Sequence, residues 1–146
     1  MPMYNVAKGH SGIDWENDTF KACLMKCTFT PDYDDDTMDV AIGTFECNAT
    51  DYQRIMLTNK ALEIDDTLDV VNHKADDITF IANSDVGTVD KILIYKEVTD
   101  DTDSIPLLVL SFATPRATYA APTDPTKNNT ISTAFPNGIV YSGRSA

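Results

Sequence analysis

Residues 89–98, with the sequence VDKILIYKEV, carry the strongest structural signal in the chain. Four of them are consecutive and apolar, namely Ile92, Leu93, Ile94 and Tyr95. Since successive side chains of a strand point to opposite faces, a strand here would be apolar on both faces. Such a run is typical of a strand that is buried on both sides. The segment therefore predicts the central strand of a β-sandwich.

The rest of the chain reads mainly as short strands separated by turn residues. Apolar residues continue through 19–30, which predicts a strand, with a short helix over 19–26 as the alternative. Residues 38–42 predict a helical turn or an edge segment that Gly43 ends. Further extended segments are predicted at 54–58, 60–64, 68–73, 78–82, 107–112, 129–135 and 139–141.

This pattern predicts an all-β protein with less than about a fifth of helix. The predicted architecture is a single-domain antiparallel β-sandwich, of jelly-roll or immunoglobulin-like type, over residues 18–146. An extended N-terminal arm over residues 1–17 precedes it. The predicted core consists of Phe20, Leu24, Ile55, Leu57, Leu62, Ile64, Ile78, Phe80, Ile92, Ile94, Leu108 and Leu110.

The charge of the chain restricts its partners. Its 146 residues include 23 acidic and 11 basic side chains, which gives a formal net charge of −12. Such a chain repels a phosphate backbone and an anionic membrane, so we expect neither nucleic acid nor membrane as a partner. The acidity either keeps the protein soluble or steers it onto a basic protein. Since no signal segment or membrane-length apolar run is visible, we expect the protein to be made and kept in a cytoplasm.

Residues that could carry catalysis are few. The two histidines, His10 and His73, are interpreted as surface residues, because neither lies in a motif with a nucleophile. The three cysteines, Cys23, Cys27 and Cys47, are interpreted as small buried hydrophobic residues. We therefore predict a protein that is not an enzyme and has no cofactor.

Two acidic clusters are the candidates for metal binding. Asp32, Asp34 and Asp36 alternate in a loop, as carboxylate ligands of Ca²⁺ do, although the EF-hand pattern is not met. The alternative is a solvated acidic loop. Residues 100–103 form a second cluster with the same two interpretations.

Two segments cannot bury themselves well by their composition, namely residues 1–17 and the Pro-rich loop predicted at 113–129. Both carry isolated large side chains, and such residues often dominate an interface. The candidate partner-binding residues are Tyr4, Ile13, Trp15 and Tyr119. If the N-terminal arm is the segment that binds the partner, deletion of residues 2–15 should leave a folded domain that no longer binds it.

Residues 18–141 resemble small structural proteins encoded by tailed bacteriophages and prophages. The resemblance rests on short features in order: DTFKACL at 18–24, FTPD at 29–32, LTNK at 57–60, ADDITF at 75–80, ILIYK at 92–96, PLL at 106–108, TI at 130–131 and NGIV at 137–140. It implies a virion component of β-sandwich type without catalytic residues.

Among such components, we expect a capsid decoration (cement) protein on the capsid exterior. Its partners would be the major capsid protein and itself, as a homotrimer, since decoration proteins commonly occupy three-fold positions. The alternatives are a tail, fibre or head-fibre component and a module that binds host-surface glycans.

Overall fold

A computed structural model describes residues 4, 12–49, 51–67, 70–82, 88–117, 130–133 and 139–141. These residues contain nine strands and one short helix. In chain order they are β1 (Phe20–Lys26), α1 (Met38–Ile42), β2 (Ile55–Met56), β3 (Ala61–Asp65), β4 (Val70–Lys74), β5 (Ile78–Ile81), β6 (Thr88–Lys96), β7 (Ile105–Ala117), β8 (Thr130–Thr133) and β9 (Ile139–Tyr141). All the strand pairs are antiparallel. The predictions of an all-β fold and of low helix content are confirmed.

The main sheet has the strand order β2-β1-β6-β7. The strand β6 lies between β1 and β7, so the prediction that residues 89–98 hold a central strand of a sheet is confirmed over most of that range. Ile94 of β6 is paired with Ala22 of β1 on one side and with Leu108 of β7 on the other. The strand interpretation of residues 19–30 is confirmed over Phe20–Lys26, and the helical alternative is wrong.

Both faces of this sheet are buried, because alternate residues of β1 and β6 supply an apolar cluster to each face. Phe20, Leu24, Ile92 and Ile94 belong to the first cluster, together with Phe80 of β5. The second cluster contains Cys23, Met25, Leu93, Tyr95 and Met38 of α1.

Most of the predicted core is confirmed. Leu57, Ile78 and Leu108 are buried with the first cluster, while Ile55 and Leu110 are partly buried against it. Leu62 and Ile64 are exposed by 44% and 70%, so their prediction as core residues is wrong.

The helix α1 is placed by the sequence around it. Thr37, with extended backbone angles, precedes the helix, and Gly43 follows it with a φ of 48°, a conformation that favours glycine. The N–H of Met38 donates to the carbonyl of Ser104 at 3.0 Å, which holds the helix beside the start of β7. The helical alternative for residues 38–42 is therefore confirmed.

Two smaller sheets lie outside the main one, with the orders β3-β4-β9 and β5-β8. In β5, Ile78 and Phe80 are buried while Thr79 and Ile81 are exposed, as expected for a strand with one face on the core. In β3, by contrast, the first four residues are all exposed. Among the described strands, β3 pairs only with β4 and therefore forms an edge of its sheet.

The predicted loop at 113–129 is wrong in its first part. Strand β7 continues to Ala117, and its last residues pair with the start of β6, with Ala117 opposite Thr88. Residues 118–129 lie outside the described part of the chain.

Candidate functional site

Two predicted interface anchors, Tyr4 and Trp15, lie in the core. Tyr4 is fully buried in the second cluster, its N–H donates to the carbonyl of Leu107 at 3.0 Å, and its ring contacts that of Tyr33 edge-on. Trp15 is 4% exposed, and its ring centroid lies 4.8 Å from that of Phe20. The interpretation that their segment cannot bury itself is wrong for these two residues, because both faces of the main sheet are apolar and these side chains help to cover them.

A tight turn presents Trp15 to the core. The carboxylate of Asp14 accepts hydrogen bonds from the N–H groups of Glu16 and Asn17 and from the side-chain amide of Asn17. These hydrogen bonds lower the pKa of Asp14, and the bond from the Asn17 side chain has the largest effect. The indole Nε1 of Trp15 then donates to the carbonyl of Lys74 at 3.0 Å, so that its polar atom is satisfied inside the protein.

The described residues of the N-terminal segment therefore belong to the domain and do not form a separate arm ending at residue 17. Ile13 is partly buried against the first cluster, so it is also part of the packing. The side chain of Lys96 lies 2.7 Å from Asp18 and donates to the carbonyl of Gly12, which fastens the segment to β6. The fourth predicted anchor, Tyr119, lies outside the described residues.

The acidic loop has the geometry of a turn. Asp32, Asp34 and Asp36 are exposed, and Asp32 accepts a hydrogen bond from the N–H of Asp34 at 3.1 Å. Asp35 is half-buried, and desolvation followed by the charges of these three neighbours raises its pKa. In the described part of the chain no three His, Cys, Asp or Glu side chains converge on a metal position. The structure thus does not bring the three candidate ligands together.

The cysteines differ from one another. Cys23 and Cys47 are buried as predicted, and desolvation raises the pKa of both thiols, so they do not offer a thiolate at neutral pH. Cys27 follows the end of β1 and is exposed, so its prediction as a buried residue is wrong. His73 is half-buried with its ring against Trp15, and desolvation lowers its pKa.

Sequence reasoning missed the densest polar cluster among the described residues, which is centred on Arg54. Its Nε and Nη2 lie 2.8 Å from the two oxygens of Glu46, and its Nη1 and Nη2 lie 2.6 and 2.8 Å from those of Asp101. The guanidinium also lies over the ring of Tyr95. The hydroxyl of Tyr52 donates to Glu46 and accepts the N–H of Leu24. The local sequence, in which Arg54 follows Tyr52 by two residues, gives no signal for this cluster.

The electrostatics of this cluster indicate a structural role, in which Arg54 joins Glu46 and Asp101 through two ion pairs. We call this arrangement the Arg54 clamp. Hydrogen bonds from Arg54 lower the pKa of Asp101, and those to Glu46 and Asp101 raise the pKa of Arg54 further above its usual range. Burial raises the pKa of Tyr52, which stays protonated. Arg54 and Asp101 are thus both charged at neutral pH. The stability contributed through Asp101 is present above its unfolded pKa and is lost as the pH falls through its folded value.

We expect Arg54→Met to lower the free energy of unfolding by about 2–3 kcal/mol. Removing one member of a fully buried ion pair costs about 3–5 kcal/mol, and the effect is smaller here because the three charged side chains remain 19–33% exposed. Urea denaturation measures it. The matched control is Lys74→Met, which breaks a more exposed pair with Glu63 and should cost about 0–1 kcal/mol. Equal losses for the two variants would contradict the clamp.

The exposed apolar side chains of β3 mark the strongest candidate for an interaction surface, which we call the β3 edge and define as residues Ala61–Asp65. Leu62 stands opposite His73 in the sheet, and Ile64 stands opposite Val71. Residues that stand opposite each other in a sheet lie on the same face. Leu62 and Ile64 therefore lie on the face of this sheet on which His73 contacts Trp15. The other face carries Glu63, which pairs with Lys74.

Comparisons with protein-family models, curated proteins and solved structures gave no match to this chain. Among the described residues no helix has the length and apolar character needed to cross a bilayer.

Proposed function

We propose that this chain is a non-enzymatic structural protein of a tailed-bacteriophage virion, namely a capsid decoration (cement) protein on the outer surface of the major capsid protein lattice. In this proposal the domain is a β-sandwich of jelly-roll or immunoglobulin-like type, and it acts as a homotrimer. The observation that carries the proposal is the β3 edge, where Leu62 and Ile64 are exposed beside a main sheet that is closed on both faces. A domain of this kind is suited to binding through its surface.

The charge of the chain supports an outer position on a particle. A formal net charge of −12 disfavours contact with packaged DNA and keeps unassembled copies soluble. Arg54 is held by Glu46 and Asp101 within the domain and is not offered to a phosphate. The ordered resemblance of residues 18–141 to tailed-phage structural proteins supports a tailed phage as the source of the particle.

Immunogold labelling of intact particles in electron micrographs tests this function. We expect label over the capsid exterior, and in a reconstruction we expect density for the protein at the three-fold positions between capsomers. Label confined to the tail or fibres would replace the proposal by the tail or fibre alternative. Absence of the protein from purified particles would contradict a virion role altogether.

A further inference from the structure

The β3 edge is open on three sides within the described structure. Ala61, Leu62, Glu63 and Ile64 are all exposed, so neither face of the strand is covered at these positions. In an antiparallel pair every second residue directs its N–H and C=O away from the partner strand. Since β4 occupies one side of β3, these groups are available on the other side to a strand that adds to the sheet.

The two faces of β3 would recognise different side chains. Leu62 and Ile64 lie on one face, where an added strand would bring apolar side chains into contact with them. Glu63 lies on the other face and is 56% exposed even in its pair with Lys74. On this face the two carboxylates of β3, Glu63 and Asp65, outnumber the one cation that β4 supplies, Lys74. The side chains that best oppose this face are therefore basic.

A second copy of this chain fits poorly on the same edge. Pairing two antiparallel copies with Glu63 at the centre places this carboxylate opposite itself, and centring them on Ile64 places Glu63 opposite Asp65. Centring them on Leu62 places Glu63 opposite Ala61, which offers it no cation. Like charges that face each other across strands are destabilising. Each copy also brings a formal net charge of −12.

We propose that the β3 edge binds an extended segment of a basic protein by strand addition, with apolar and Lys or Arg side chains alternating along the segment. Leu62 and Ile64 contact its apolar side chains, and Glu63 contacts its cations. This inference takes from the proposed function only that the partner is a protein. Its test needs no particle, so a failure of particle labelling and a failure of this inference are distinguishable.

The test uses the full chain and a synthetic peptide in which Lys and Val alternate. We expect the peptide to protect amides of β3 from hydrogen exchange. Glu63→Gln should weaken its binding by about fivefold, the upper value for one cross-strand charge pair. Glu63→Lys should instead favour a peptide of alternating Glu and Val. The matched control is Glu16→Lys, at another exposed carboxylate, which changes the net charge equally and should leave the affinity for either peptide unchanged.

Three results would overturn the proposal. The first is protection that fails to include β3. The second is equal weakening by Glu63→Lys and Glu16→Lys, which would show general charge attraction. The third is concentration-dependent protection of β3 without peptide, which would identify a second copy as the occupant. Thermal unfolding of each variant verifies folding, and Glu63→Gln provides the test even if Glu63→Lys disturbs the pairing of β3 with β4.

Discussion

Replacing Trp15 by alanine is expected to lower the free energy of unfolding by about 3–5 kcal/mol, the range for removing a large buried aromatic side chain. Trp15 is 4% exposed, packs on Phe20 and His73, and donates to the carbonyl of Lys74. Its loss would leave a cavity over the main sheet and an unpaired carbonyl. Because single domains are stable by only about 5–15 kcal/mol, urea denaturation would show a large shift in the midpoint.

The matched control for this experiment is Trp15→Phe. This variant keeps an aromatic ring against Phe20 and loses the hydrogen bond to Lys74, so we expect a smaller loss of about 1–3 kcal/mol. An unchanged midpoint for Trp15→Ala would show that the segment is dispensable for folding and would restore the interpretation of residues 1–17 as a loose arm.

The position of Trp15 also changes what a truncation experiment means. Deleting residues 2–15 removes Tyr4 from one face of the main sheet and Trp15 from the other. We therefore expect this deletion to destabilise the domain, contrary to the prediction of a folded remainder. Loss of particle binding by such a variant would not identify the segment as the grip, because binding and folding would be lost together.

The sequence predicts the main sheet well because its information is local. Four consecutive apolar residues in β6 require cover on both faces wherever the strand lies, and the clusters around Ile94 and Leu93 provide it. The turn residues Thr37 and Gly43 likewise bound α1 through their own backbone preferences. In both cases the residues that decide the structure are neighbours in the chain.

The predictions from sequence fail where contacts between residues far apart in the chain determine which side chains are buried or paired. Isolated aromatic residues in a polar segment, such as Tyr4 and Trp15, suit either a core or an interface, and their surroundings in the sequence do not distinguish the two. The partners of Arg54 lie 8 and 47 residues away, so its clamp has no local pattern. Apolar and polar residues alternate in β3 as well as at the start of β5. Only in β5, however, does the apolar face pack against the core, whereas in β3 it is exposed.

Substitutions at two isoleucines would measure the difference in stability between a covered and an exposed apolar position. Ile94 of β6 is fully buried and Ile64 of β3 is 70% exposed, although both were predicted as core residues. We expect Ile94→Ala to lower the free energy of unfolding by about 2–5 kcal/mol and Ile64→Ala to change it by less than about 0.5 kcal/mol. Urea denaturation of the two variants under the same conditions gives the comparison.

The pair also separates folding from binding. A loss at Ile64 as large as that at Ile94 would place β3 inside a folded core and remove the basis for an exposed edge. If Ile64→Ala folds normally and binds the Lys and Val peptide more weakly, this side chain contributes to recognition without supporting the fold. The exposure of Ile64 would then be a property of the binding surface, since removing this side chain leaves the packing of the main sheet intact.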